Sequence, residues 1–154
     1  MLLKNSELLR STQRIGANWP TADNGETFAV RNPATGEVLA EVPLCGTQET
    51  RRAIEAADAA WPAWREKTAQ ARGIILRRWF QLILDHADDL AQIITAECGK
   101  PLTEAKGEVS YGASFIEWFV EESKRAYGDT IPSPAANKRL VVIKQPIGVC
   151  AAIT

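Results

Sequence analysis

Covalent catalysis needs a nucleophile with a base in reach, and the candidates in this chain are Cys45, Cys98, Cys150 and the lone histidine, His86. Cys98 falls in the last turn of a predicted helix, where the helix dipole opposes a thiolate. Cys45 stands beside Gly46 at a strand end, and Cys150 lies in an apolar run, so all three read as small apolar filler. His86 sits at a helix start among acids and reads as a solvent-facing residue rather than a general base. One imidazole excludes a histidine metal cluster, and an odd number of distant cysteines without a C-x-x-C pair argues against a zinc site or a disulfide framework. Gly99-Lys100 fails as a phosphate loop: Ile94 stands where the first glycine belongs and Pro101 where the metal-binding hydroxyl belongs, and there is no G-x-G-x-x-G. The pair Glu121-Glu122 is explained by a solvated helix face. Tyr111, Phe115 and Trp118 share one face at helical spacing and can line a pocket.

The elements that must position these residues belong to a soluble-type chain. Of its 154 residues 45% are hydrophobic and 24% charged, and the net charge is −1, so no basic field draws nucleic acid or an anionic membrane. Arg77-Arg78 and Lys124-Arg125 lie among acids, as solvated helix faces do. No apolar run approaches the roughly eighteen residues of a membrane span, and residues 1–14 lack the features of a secretory signal. The expected location is the cytoplasm.

Residues 28–31 and 37–42 predict a β-hairpin around Asn32-Pro33-Ala34-Thr35-Gly36, with a further turn at Asn24-Gly25. The period then changes to about 3.6. Thr47 is the expected N-cap of a helix carrying Ile54, Ala57, Trp61 and Trp64, which Pro62 ends or bends. Thr68 caps the next, with Ile75, Leu76, Trp79, Phe80 and Ile83 as its face. A restart at Asp85 or Asp88 puts Leu90, Ile93 and Ile94 inward, and Gly99 with Pro101 stops it. A fourth helix over about 104–127 carries Val109, Ile116, Phe119 and Val120 and ends at Gly128. Residues 131–134 predict a stiff extended connector, 140–144 a strand, and 149–153 an apolar strand of the kind buried on both faces of a parallel sheet. Such a sheet needs a crossover and a second strand, which do not follow, so the chain is expected to stop inside a structural unit.

Four stretches, taken in order, are together specific: Val30-Arg31-Asn32-Pro33-Ala34-Thr35-Gly36-Glu37; Glu97-Cys98-Gly99-Lys100-Pro101; Tyr127-Gly128-Asp129-Thr130-Ile131-Pro132; and Gln145-Pro146-Ile147-Gly148-Val149-Cys150-Ala151-Ala152-Ile153-Thr154. With them the chain resembles the aldehyde dehydrogenase superfamily over nearly its whole length. Residues 104–109, 113–119 and 138–144 carry a narrower likeness to its bacterial succinate-semialdehyde branch.

The resemblance implies an α/β fold, here its incomplete N-terminal part: hairpin strands, a helical layer and the first strand of a Rossmann-like sheet. Residues 1–129 would be the front of the NAD(P)-binding domain, 130–148 an arm of the oligomerisation hairpin, and 149–154 the first, truncated strand of the nucleotide-binding sheet. The implied parent is an NAD- or NADP-dependent oxidoreductase acting on succinate semialdehyde or a related aldehyde, a homo-oligomer without nucleic-acid or membrane partners. The reactive cysteine, the glutamate that activates water and the oxyanion asparagine of the family fall beyond Thr154. No catalytic residue is therefore expected in this chain, nor tight binding of the cofactor by it. Carry-over places Ile153 and Thr154 at the edge of the cofactor site and Tyr111 and Phe115 along the aldehyde tunnel. It also places a monovalent cation between the backbone carbonyls near Val30 or Arg31 and the Glu97 carboxylate. The competing expectation is a stand-alone interaction module that docks on full-length dehydrogenase subunits by edge pairing of residues 140–144.

Overall fold

Two short antiparallel hairpins bracket a layer of four helices in the computed structural model, which describes residues 1–153. Strand β1 (Thr27–Arg31) pairs with β2 (Val38–Pro43) from Thr27 opposite Pro43 to Arg31 opposite Val38. The register slips between Val30 and Arg31, leaving Leu39 as the extra residue of a bulge. The connection closes as its sequence predicts. Gly36 donates to the Asn32 carbonyl at 2.8 Å and adopts φ +76°, while the Asn32 side chain accepts from Ala34 N–H at 2.9 Å. The Asn24-Gly25 turn forms too, Gly25 donating to the Ala22 carbonyl at 3.0 Å.

Helix α1 (Thr47–Arg65) is capped one residue earlier than expected, by Gly46 rather than Thr47. The Glu49 carboxylate reaches back to accept the Gly46 N–H at 3.0 Å and also takes the Asp23 N–H at 2.8 Å, so one side chain fastens helix and preceding turn together. Pro62 does not end α1. Its carbonyl still accepts from Glu66 N–H at 3.2 Å, and the loss of a single donor is confined to the last turn. The inward face is Ala53, Ala56, Trp61 and Trp64, whereas Ile54 and Ala57 face out. The stripe is shifted by one residue because the N-terminal segment lies over Ala56.

Helix α2 (Ala69–Asp85) begins as predicted, with the Thr68 hydroxyl accepting from Ala71 N–H at 3.1 Å. His86 closes α2 and opens α3 (Ala87–Cys98) through its backbone. Helix α4 (Leu102–Glu122) packs along both α2 and α3, ends five residues short of the expected 127 and passes into a 3-10 turn at Ser123–Arg125. The core between them is built of small side chains: Ala91, Ala96, Ala105, Val109, Ala113 and Val120 are buried. A Cβ placed on Gly73 would sit 3.6 Å from Val120 Cγ1, which marks the close approach of α2 to α4. Leu76, Phe80 and Ile83 are half-buried against this layer, but Ile75, Trp79 and Phe119 are exposed. The apolar stripes of α2 and α4 are wider than the faces their neighbours cover.

Gly99 ends α3 in the left-handed conformation, φ +75°, and its Cβ position lies 3.1 Å from Pro33 Cγ in the first hairpin turn. Gly99→Ala is therefore expected to destabilise by about 1 kcal/mol from backbone conformation, with crowding against Pro33 adding to it. Urea unfolding monitored by circular dichroism measures this, and an unchanged midpoint would refute the role assigned to the cap.

The first 26 residues form no regular element beyond a 3-10 turn at Ser6–Leu8 and one bridge between Ile15 and Asn18. They are nonetheless fixed. Asp89 on α3 is buried and accepts from the backbone N–H of Lys4 at 3.0 Å and of Asn5 at 2.9 Å. Asp88 beside it pairs with Lys106 at 2.7 Å and Lys4 at 3.4 Å, joining the N-terminus, α3 and α4.

Beyond α4, β3 (Asp129–Ile131) pairs with β4 (Leu140–Val142) in a second hairpin. Residues 131–134 are not an extended connector throughout. Ser133 Oγ accepts from Ala135 N–H at 3.1 Å, and Lys138 donates to the Ala135 carbonyl at 3.1 Å, so the chain turns back on itself. The strand expected at 149–153 is not formed among the described residues: the segment runs without ladder partners and Ile153 is 99% exposed. An apolar, β-favouring sequence supplies half of a strand pair, and pairing supplies the rest.

Candidate functional site

An open concavity lies along α4, and the helix repeat explains it. Positions 111, 115, 118 and 119 are spaced by four, three and one, which brings Tyr111, Phe115, Trp118 and Phe119 onto one side. The Tyr111 and Phe115 rings meet edge to face, with centroids 4.8 Å apart and planes at 76°. Together with Ser114, Glu117, Glu121, Glu122 and Arg125 these side chains line an open groove of about 870 Å³. The expected face of Tyr111, Phe115 and Trp118 is thus assembled, and Phe119 joins it instead of turning inward.

Glu121, Glu122 and Arg125 of the charged rim are paired. Glu121 binds Arg77 of α2, with Lys124 4.0 Å away, and Arg125 holds Glu122 at 2.8 Å. Arg77, Lys124 and Arg125 of the two basic pairs are thus engaged with helix-surface carboxylates. No thiol or imidazole lines the groove, and its Ser114 hydroxyl donates to the Tyr111 carbonyl at 2.7 Å, so the groove can wall a substrate path or receive another apolar surface.

The cysteines are elsewhere, and all three are free and exposed rather than buried filler. Cys98 Sγ donates to the Ile94 carbonyl at 2.8 Å, which occupies the thiol within its own helix. Cys150 lies in the unpaired 149–153 segment. His86 is half-buried, its backbone N–H bonded to the Leu82 carbonyl at 3.2 Å.

The proposed cation ligands come from two elements that meet at the Gly99–Pro33 contact. Val30 and Arg31 flank the register break of the first hairpin, where the ladder leaves backbone groups irregularly paired, and Glu97 is exposed two residues before Gly99. No group of three or more His, Cys, Asp or Glu side chains forms a metal site among the described residues, so a cation there would rest on carbonyls and one carboxylate. Of the two residues expected at the edge of the cofactor site, Ile153 has no strand partner among the described residues, and Thr154 lies outside them.

Three charged residues outside the candidate site are prominent. Glu49 is held below the usual carboxylate range by the backbone N–H groups of Asp23, its own residue and Gly46, assisted by Arg52 and opposed by burial. Asp89 is depressed by the amides of Lys4 and Asn5, and the Lys100 ammonium is raised by its bond to Glu108. The Gly46-Thr47-Gln48-Glu49 spacing is that of a capping box and could have revealed Glu49. Nothing local marks Asp89.

Residues 19–154 match the model of the aldehyde dehydrogenase family, and the chain belongs to that family. Among curated proteins it is 62% identical to the glutarate-semialdehyde dehydrogenase of Pseudomonas putida and 60% identical to the NADP(+) succinate-semialdehyde dehydrogenase of Escherichia coli K12, over 100% of its own length in each case. It spans 32% of the length of each. The crystal structure of succinate-semialdehyde dehydrogenase from Burkholderia pseudomallei superposes with a TM-score of 0.93 at 61% identity, covering 96% of this chain and 31% of that one. The architecture is accordingly that of the corresponding third of an aldehyde dehydrogenase. No described helix is long and apolar enough to cross a membrane.

Proposed function

We propose that this chain is the front third of an NAD(P)-dependent dehydrogenase that oxidises succinate semialdehyde, or a closely related aldehyde, to the acid. The observation that carries the proposal is identity of 60–62% along the whole chain to two enzymes named for semialdehydes. A further relative, 55% identical, is named for 3-sulfolactaldehyde, so the common substrate chemistry is a short aldehyde with an acidic group at its far end.

In this scheme residues 1–129 are the front of the cofactor domain, the 130–148 hairpin is an arm through which a cytoplasmic homo-oligomer assembles, and 149–154 opens the nucleotide-binding sheet. Tyr111 and Phe115 line the aldehyde path, and Val30, Arg31 and Glu97 hold a monovalent cation. Ile153 and Thr154 border a cofactor site whose other residues lie outside these 154. The reacting groups lie there too, so no chemical step is assigned to this chain alone.

The test is a single-chain chimera: these 154 residues followed by the complementary two-thirds of the Escherichia coli enzyme. It should reduce NADP⁺ with succinate semialdehyde at a rate within about tenfold of the intact enzyme, while the 154-residue chain alone should produce no reduced nicotinamide. A folded but inactive chimera would sink the proposal, as would turnover by the pure 154-residue chain.

A further inference from the structure

We propose that residues 2–23 are a strap, clasped at one end by α3 and at the other by α1, that holds α1 to the other three helices. Loosening the α3 clasp then releases strap and α1 together, as one unit, while α2, α3 and α4 stay packed. Those three helices lie against one another, but α1 shares no comparable seam with any of them. Over its 19 residues α1 buries no apolar side chain. Ala53, Ala56, Trp61 and Trp64 are only half-buried, and the one buried residue is Glu49, whose carboxylate is the strap's own anchor. Apart from the strap and its half-buried face, α1 is joined to the rest through its chain connections to β2 and α2. A helix with so little buried surface owes its place to whatever else ties it down.

The α3 clasp takes residues 2–5. Leu2 N–H donates to the Gln92 side-chain oxygen at 3.1 Å, and the Lys4 and Asn5 amides donate to buried Asp89 at 3.0 and 2.9 Å. The α1 clasp takes residues 16–23. Asp23 N–H donates to Glu49 at 2.8 Å, and the Arg52 guanidinium grips the Asp23 carboxylate with two bonds of 2.8 and 2.7 Å. A Cβ on Gly16 would sit 3.7 Å from Ala56 Cβ, so the strap lies directly on the helix there. Between the clasps it is not slack. Ile15 and Asn18 exchange two backbone hydrogen bonds of 3.1 Å, and Arg14 Nε donates to the Gly16 carbonyl at 2.9 Å. The Arg10 and Arg14 guanidiniums stand 5.1 and 5.7 Å from the Trp19 ring centroid. A segment stiffened in this way carries a displacement from one end to the other, where a flexible coil would absorb it.

Hydrogen exchange is followed by residue in the 154-residue chain and in the covalent chimera, with Asp89→Asn and with a variant lacking residues 1–5. Asp89 lies on α3 and its hydrogen bonds go to the strap, and the truncation leaves every helix residue as it was. In both variants the α1 amides should exchange at least about tenfold faster, while those of α2 and α4 stay within about threefold of the unaltered protein. Gly99→Ala, at the other end of α3 and outside the strap, should leave α1 within about threefold, which separates release of the strap from a general loosening of α3. Should Asp89→Asn unfold the helical layer, the truncated variant decides. The inference is overturned if α1 keeps its protection once residues 1–5 are detached or removed, or if Gly99→Ala speeds α1 exchange as much as Asp89→Asn does. Unchanged protection of the Lys4 and Asn5 amides in Asp89→Asn removes the α3 clasp and the inference with it.

Discussion

Gly128→Ala should abolish the pairing of β3 with β4. A Cβ on Gly128 would collide with the Val142 carbonyl oxygen and stand 3.1 Å from its carbon, and the atoms in the way are backbone. Neither side can yield by a rotamer change, so the strands must separate. A three-residue ladder has little to offset that. The hairpin makes no substantial contact with the helices, so the helical signal should be preserved while amide protection across residues 129–131 and 140–142 falls to that of a loop. Hydrogen exchange followed by residue reads both. Retained protection in the hairpin would refute the steric argument. In the active chimera the same variant should also lower the oligomeric state, provided the 130–148 arm assembles subunits as proposed.

Asp89→Asn is the second large effect expected. The aspartate sits at the start of α3, buried, with both oxygens taken by the Lys4 and Asn5 amides, and it joins residues 84 and 85 positions apart in the chain. An asparagine keeps one acceptor and turns a donor toward the other amide. Protection of the Lys4 and Asn5 amides should drop by at least about tenfold, and the melting temperature by roughly 5 °C. Unchanged exchange at those two amides would show that the carboxylate does not hold the segment.

The pH dependence has a definite sign. The folded-state pKa of Asp89 lies below the ordinary 3.8, through the Lys4 and Asn5 amides first and then the charges of Lys4 and His86, against the opposing effect of burial. Its stabilisation is complete above the unfolded-state pKa and is lost as pH falls through that value toward the folded one. Asp88, lowered by Lys106 and Lys4, adds in the same direction. The N-terminal segment should therefore detach in acid, below about pH 4, and the Asp89→Asn variant should show a smaller acid sensitivity, with the contribution of Asp88 remaining.

What could be read from residue order is what neighbouring residues decide. The Asn32–Gly36 turn, the Thr68 cap and the Gly99 stop each depend on a side chain or a φ angle within four positions, and each forms as expected. The Tyr111, Phe115 and Trp118 face was legible for the same reason, since the helix repeat alone places it. Burial was not. Ile75, Trp79 and Phe119 sit on apolar stripes that the pattern marks, and Ile54 one residue off its stripe, but which part of a stripe is covered depends on the neighbouring elements. Residues 149–153 have the composition of a buried strand and no partner to make them one. Asp89 carries no sequence signature, because its significance comes from amides at the other end of the chain.

The small-residue seam beneath α4 has a consequence for how that helix meets another body. Ala91, Ala105 and Ala113 have no side-chain torsions with which to adapt, and with Val109, Leu90 and Ile94 packed beside them they fix the height and tilt of α4 over α3. The outer aromatics are thereby presented in one arrangement before anything touches them. Association at that face would surrender little conformational freedom, and an added methyl group in the seam would alter affinity at a surface on the far side of the helix that it never contacts.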